Sequence, residues 1–119
     1  MTTRIQSVEQ EDLYLLSNLP SGLTGLPFVV WISPKGNARH DVRVKVSPGP
    51  RAKPGEFITV AVRPKVKVVG GHMSADHLAL LSQWIGLNRE ALVEFWDGRL
   101  EYTPDVLARI RPIPRVETP

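Results

Sequence analysis

The 119-residue chain predicts an α+β domain: a three-stranded antiparallel β-meander with C-terminal helices packed on one face, preceded by a short N-terminal helix. Three observations predict it. From His40 to Val46, Val42, Val44 and Val46 share one parity while Asp41, Arg43 and Lys45 share the other, which is the alternation of a half-buried strand. Pro, Gly and Asn punctuate the chain on both sides of this run and separate it from further β-branched segments. From Ser74 to Gly98 the period changes to three and four, with Leu78, Leu81, Trp84 and Ile85 on one side of a helix.

Ser7-Val8-Glu9-Gln10 fits a capping box, and Leu13, Leu15 and Leu16 follow it, so a short helix is expected there. Pro20 to Gly25 reads as a turn-rich linker, with a mobile N-terminal arm as the functional alternative. The first strand, over 27–33, is predicted by the aromatic and β-branched run Phe28 to Ile32, and Pro34-Lys35-Gly36-Asn37 turns the chain into the second, over 39–47. Ser47 to Gly55 holds three prolines and two glycines and predicts a long loop with Arg51 and Lys53 at its tip. Ile58, Val60, Val62, Val66 and Val68 keep one parity, which favours a single strand over 57–69, placed at an edge or bulge where Pro64 lacks an N–H.

After the Gly70-Gly71 turn, Ser74 is the expected helix cap, with Asp76 favouring the positive end of the helix dipole. Gly86 leaves one helix or two. The reading favours two, with Asn88 capping the second, Glu90 in its first turn and Gly98 closing it. Trp84 and Trp96 fall on the apolar side and read as core. Leu100 to Tyr102 adds a short extended segment, Thr103-Pro104-Asp105 starts a last helix over 106–110, and Pro112 ends it. The organisation is one domain: 1–26 helix and linker, 27–112 core, 113–119 extended tail.

Composition removes several function classes. The chain has no cysteine, which excludes a disulfide framework and thiolate metal or redox sites, and no apolar run long enough for a signal segment or a membrane span. A cytoplasmic protein is expected. The net charge of +3 is unevenly spread. Between Lys35 and Lys67 nine basic residues stand against two acids, a net of +7; between Ser74 and Asp105 six acids stand against two basic residues, a net of −4.

The basic half is the β half, and its binding candidates are Trp31, Arg43, Lys45, Arg63, Lys65 and Lys67 on the odd-parity face, with Arg51 and Lys53 on the loop above. Cations beside an aromatic plane suit phosphates and stacked bases. The competing account is a solvated sheet face kept from edge pairing by its lysines. Trp31 decides between them, because a tryptophan on a solvated face needs a helix or a partner to cover it. His40, His72 and His77 lack helical metal-ligand spacing, so neither metal nor cofactor is expected, and His40 reads as a partly buried, hydrogen-bonded histidine. Gly70 to Ser74 offers an anion cradle, against the plainer account that its glycines make a turn.

No catalytic constellation stands out, and the residues favour a non-enzymatic binding module for nucleic acid or a small acidic protein partner. The alternative is a ribonuclease-like activity with His40 as base and Arg39 or Arg43 on phosphate. Oligomeric state is left open, with edge-strand pairing into a dimer as one route.

Trp84, Arg89, Glu90, Leu92 and Trp96 form the spacing Trp-x4-Arg-Glu-x-Leu-x3-Trp. This resembles the C-terminal helical signature of a family of short bacterial proteins classed as a domain of unknown function, over roughly residues 27–112. The resemblance implies three strands followed by helices, and a gene often beside a small partner in an arrangement like a toxin–antitoxin pair. The family tends to carry Pro-Pro-His-x-His before the second strand and His before the Arg-Glu pair. This chain has Asn37-Ala38-Arg39-His40-Asp41 and Asn88 instead.

Overall fold

A computed structural model describes residues 16–114. The helix expected from Ser7 onward lies outside the described residues except for Leu16, which is not helical, and so does the tail beyond 114. The sheet has five strands in sequence order, all neighbours antiparallel: β1 (Ser17–Leu19), β2 (Val29–Ile32), β3 (Arg43–Ser47), β4 (Ile58–Ala61) and β5 (Lys67–Gly70). Among the described residues three α-helices accompany it: α1 (Ser21–Thr24), α2 (Ala75–Trp96) and α3 (Thr103–Leu107). The fold class and the meander stand, but the three-stranded expectation is corrected to five, and both extra strands have physical reasons.

The run 57–69 is a hairpin, not one strand. Val60 pairs with Val68 and Ala61 with Lys67, so the hairpin is centred on Pro64. A hairpin centred on a residue pairs equal parities, and its valines therefore alternate as they would along one continuous strand. Proline sits in the reversal, where no ladder N–H is needed. A bulge at Thr59/Val60 then moves the register, so that Thr59 faces Gly70. The other addition, β1, comes from the segment read as helix end and linker. Leu19 pairs with Val30 there and is fully buried, with its parity opposite to that of the other strands.

On the inner face Val30, Ile32, Val44, Val46, Val60 and Val62 meet Leu81, Trp84, Ile85, Leu92, Phe95 and Trp96 of α2 in one core. Burying each large side chain stabilises by about 2 kcal/mol. Ser74 caps α2 as expected, its hydroxyl accepting from the His77 N–H at 3.2 Å. The two-helix reading is corrected: α2 runs unbroken through Gly86, which is exposed with open space where a Cβ would stand. Asn88 is not a cap but a buried side chain on this helix. Gly98, at φ 83°, closes the helix end, and the Arg99 and Leu100 N–H groups donate back to the Glu94 carbonyl.

The chain after α3 belongs to the core. Ile113 is buried and donates its N–H to the Thr24 carbonyl at 2.9 Å. At that crossing Gly25 has φ 78°, and a Cβ on it would stand 2.8 Å from the Ile113 carbonyl oxygen. Ile113, expected as the first residue of the tail, packs into the core instead. No helix among the described residues is long and apolar enough to cross a membrane.

Candidate functional site

The outer face of the sheet is built by register. Trp31 faces Asn18 on one side and Lys45 on the other, Lys45 faces Thr59, and one row along Arg43, Ala61 and Lys67 lie side by side. Four of the sequence candidates, Trp31, Arg43, Lys45 and Lys67, are thus brought together on this face. Trp31 is half-buried. Its indole N–H donates to the Ser47 hydroxyl at 2.7 Å, Phe57 packs edge-on at 5.4 Å, and the Lys45 ammonium lies 5.9 Å from the Phe57 ring centre. Ser47 is held in turn by donating to the Gly49 carbonyl at 2.7 Å.

The other candidates separate from the face. Arg63 is removed from it: its Nε donates to Asp41 at 2.8 Å and its Nη2 lies 3.8 Å from Asp97, at the end of α2. Parity misassigned it because the chain leaves the ladder after Ala61. Its guanidinium holds the Asp41 carboxyl below the usual range, with the Val42 N–H adding to the effect. Arg99 completes the ionic chain at 3.5 Å from Asp97. Lys65 is exposed in the β4–β5 turn. Arg51 and Lys53 are exposed on the loop that ends at Phe57, where the Lys53 N–H donates to Glu56 at 2.8 Å.

A cleft of about 230 Å³ crosses the outer face. One end is formed by Ser33, Lys35, Ala38 and His40 of the β2–β3 connection with Trp96 behind them; Arg43, Lys45 and Thr59 lie across its floor, and Val69 and Gly70 of the β5 bulge close the far side. Among the described residues no carboxylate lines it. Lys35, Arg43 and Lys45 have no acidic partner among the described residues, whereas Arg63, Arg99 and Arg109 each have one. Lys35 is absent from the sequence candidates, and His40 enters them only in the ribonuclease-like alternative. The turn that brings them in is fixed by the Lys35 N–H donating to the Trp96 carbonyl at 3.1 Å, a contact between positions 61 residues apart that carries no local signal.

His40 stands as the sequence predicts, half-buried and hydrogen-bonded. It stacks on Trp96 with ring centres 5.4 Å apart and planes at 28°, and Nδ1 is 2.7 Å from the Asp41 carbonyl. Carbonyl oxygens only accept, so Nδ1 carries the proton and Nε2 is the nitrogen left over. Among the described residues no three His, Cys, Asp or Glu side chains converge as a metal-binding group. The Gly70–Ser74 segment is a turn: Gly71 has φ 82°, and a Cβ there would press on Ile58 at 3.3 Å.

The chain matches no family model, and neither the curated proteins nor the solved structures include one that matches it.

Proposed function

We propose that the protein is a binding module that takes a nucleic-acid strand in the cleft and along the adjoining outer face, without chemistry on it. The observation that supports this reading is the convergence of Lys35, Arg43 and Lys45 on one concave surface with no carboxylate in its lining among the described residues. Unpaired cations in a cleft repel one another and focus positive potential, and polyanions relieve both. The hydroxyls of Ser33 and Thr59 supply neutral donors to phosphate oxygens, and Trp31 and Phe57 add an apolar shelf beside Lys45. Binding by Arg63 forms no part of the proposal, because its charge is already satisfied by Asp41 and Asp97.

The test is retrieval of bound material from a bacterial lysate with and without nuclease. A nucleic-acid module loses its retained material on digestion. An acidic protein partner would survive digestion as a small stoichiometric companion, and that outcome replaces this reading.

One observation favours a second, catalytic reading: His40 and Arg43 line the same cleft, with His40 Nε2 unbonded among the described residues, as a ribonuclease-like toxin component would require. Arg39, the other arginine in that scheme, does not line the cleft. RNA cleavage by the purified protein, abolished in His40→Ala, would establish this reading; the binding module leaves RNA intact. Kinship with the bacterial family of the Trp-x4-Arg-Glu signature is likewise proposed, at the level of architecture. Here Trp84 and Trp96 are core, and Asn88 holds the backbone of Arg111.

A further inference from the structure

The end of the cleft at the β2–β3 connection differs from its floor. The floor is open sheet, but this end has a back wall of Trp96, a side formed by the turn 33–38, and His40 fixed on two sides. The wall is held in place by the backbone contact from Lys35 to Trp96 and by the Ala38 N–H donating to the Lys35 carbonyl at 2.9 Å. The negative charges nearest in sequence are occupied: Asp41 accepts from Arg63 and from the Val42 N–H, and Asp97 is paired with Arg63 and Arg99.

We propose that this end is a site for a phosphate monoester group, bound by Lys35, His40 and Arg43 with the Ser33 hydroxyl. A monoester carries a charge of about −1.5 to −2 at neutral pH, which suits two fixed cations and an imidazole better than a chain-internal diester with a single charge does. Because Nδ1 donates to the Asp41 carbonyl, Nε2 is the ring nitrogen left to meet an anion. Lys35 contributes a compact point charge, and Arg43, one row along from Lys45, contributes a planar fork that spans two phosphate oxygens. The inference rests on the nucleic-acid reading only for the source of the group, which is a strand end in one case and a small phosphorylated molecule in the other.

The test uses the whole protein and short single strands of about eight nucleotides, one set with hydroxyls at both ends, one with a 5′-phosphate and one with a 3′-phosphate. Inorganic phosphate and a nucleoside monophosphate serve as separate probes. One phosphorylated end is expected to bind about tenfold tighter than the hydroxyl-ended strand, the effect of one added charge-assisted hydrogen bond. That ratio should fall to near one in Lys35→Gln and in the double variant Lys35→Gln, His40→Gln. Lys35 is exposed, so the single variant tests the site even where the loss of His40 loosens Trp96. Equal binding of phosphorylated and hydroxyl ends overturns the inference and leaves the nucleic-acid reading standing. Lys35-dependent binding of the small phosphates without any binding of strands keeps the site and removes the nucleic-acid reading. Binding of none of the probes removes both.

Discussion

Asn88 Oδ1 accepts the Arg111 N–H at 2.7 Å while Asn88 Nδ2 donates to the Arg111 carbonyl at 2.9 Å. One side-chain amide thus pairs with both polar groups of a backbone position, as a strand neighbour would. The same Nδ2 also donates to the Trp84 carbonyl one turn back, and Asn88 is buried. Asn88→Ala leaves Arg111 without partners beside a buried helix face, which should cost about 2–3 kcal/mol. Chemical denaturation measures it, and proteolysis should show earlier cleavage near Arg111. A loss within about 0.5 kcal/mol would mean that water replaces the amide freely.

Two glycines should respond to alanine with opposite signs. Gly25 has φ 78° and its absent Cβ points at the Ile113 carbonyl oxygen at 2.8 Å, so Gly25→Ala should destabilise by about 1–3 kcal/mol. Gly86 lies mid-helix in open space, so Gly86→Ala should stabilise by about 0.5–1 kcal/mol. Thermal melts of the pair decide this. A destabilised Gly86→Ala would contradict the unbroken α2.

Asp41 links the start of β3 to Arg63 beyond β4, and its folded pKa is lowered from 3.8, chiefly by the Arg63 hydrogen bond. A carboxyl with a depressed folded pKa contributes stability above its unfolded value and loses it as pH falls through the folded one. Asp41→Asn should therefore melt below the parent at neutral pH, and the gap should close as pH falls below about 4. A gap that persisted undiminished at pH 2 would show that the Asp41 charge is not its source.

What the sequence made legible depended on whether the deciding interaction was local. The valines of β3 announced their strand and the Ser74 cap announced the start of α2, because both signals lie within a few residues. The hairpin at Pro64 was illegible for a geometric reason, since reversal about a single residue preserves parity. Asn88 misled because an asparagine after a glycine is good cap chemistry, while its partner, Arg111, is 23 positions away. Of the site, Arg43 and Lys45 were legible from alternation. Arg63 was lost to a carboxylate, and Lys35 and His40 were gained through contacts with Trp96 that no pattern within the turn encodes.

The corrected placement of Arg63 separates the cleft from a generally basic surface, and salt dependence can read the difference. For single strands log K falls with log salt by about 0.7 per phosphate contact, so three fixed cations, Lys35, Arg43 and Lys45, predict a slope of about −2. Arg43→Glu with Lys45→Glu removes two contacts and places two carboxylates on the cleft floor, and binding should be lost while the melting transition stays cooperative, because both side chains lie on the outer face. Arg63→Gln should leave the slope unchanged, since that guanidinium already faces Asp41 and Asp97. A smooth surface effect predicts otherwise: any arginine removed from this half of the chain would flatten the slope by a similar amount. Titration of a labelled strand against all three proteins at several salt concentrations distinguishes the two, and a flattened slope in Arg63→Gln would return the basic face to a diffuse attraction with no site in it.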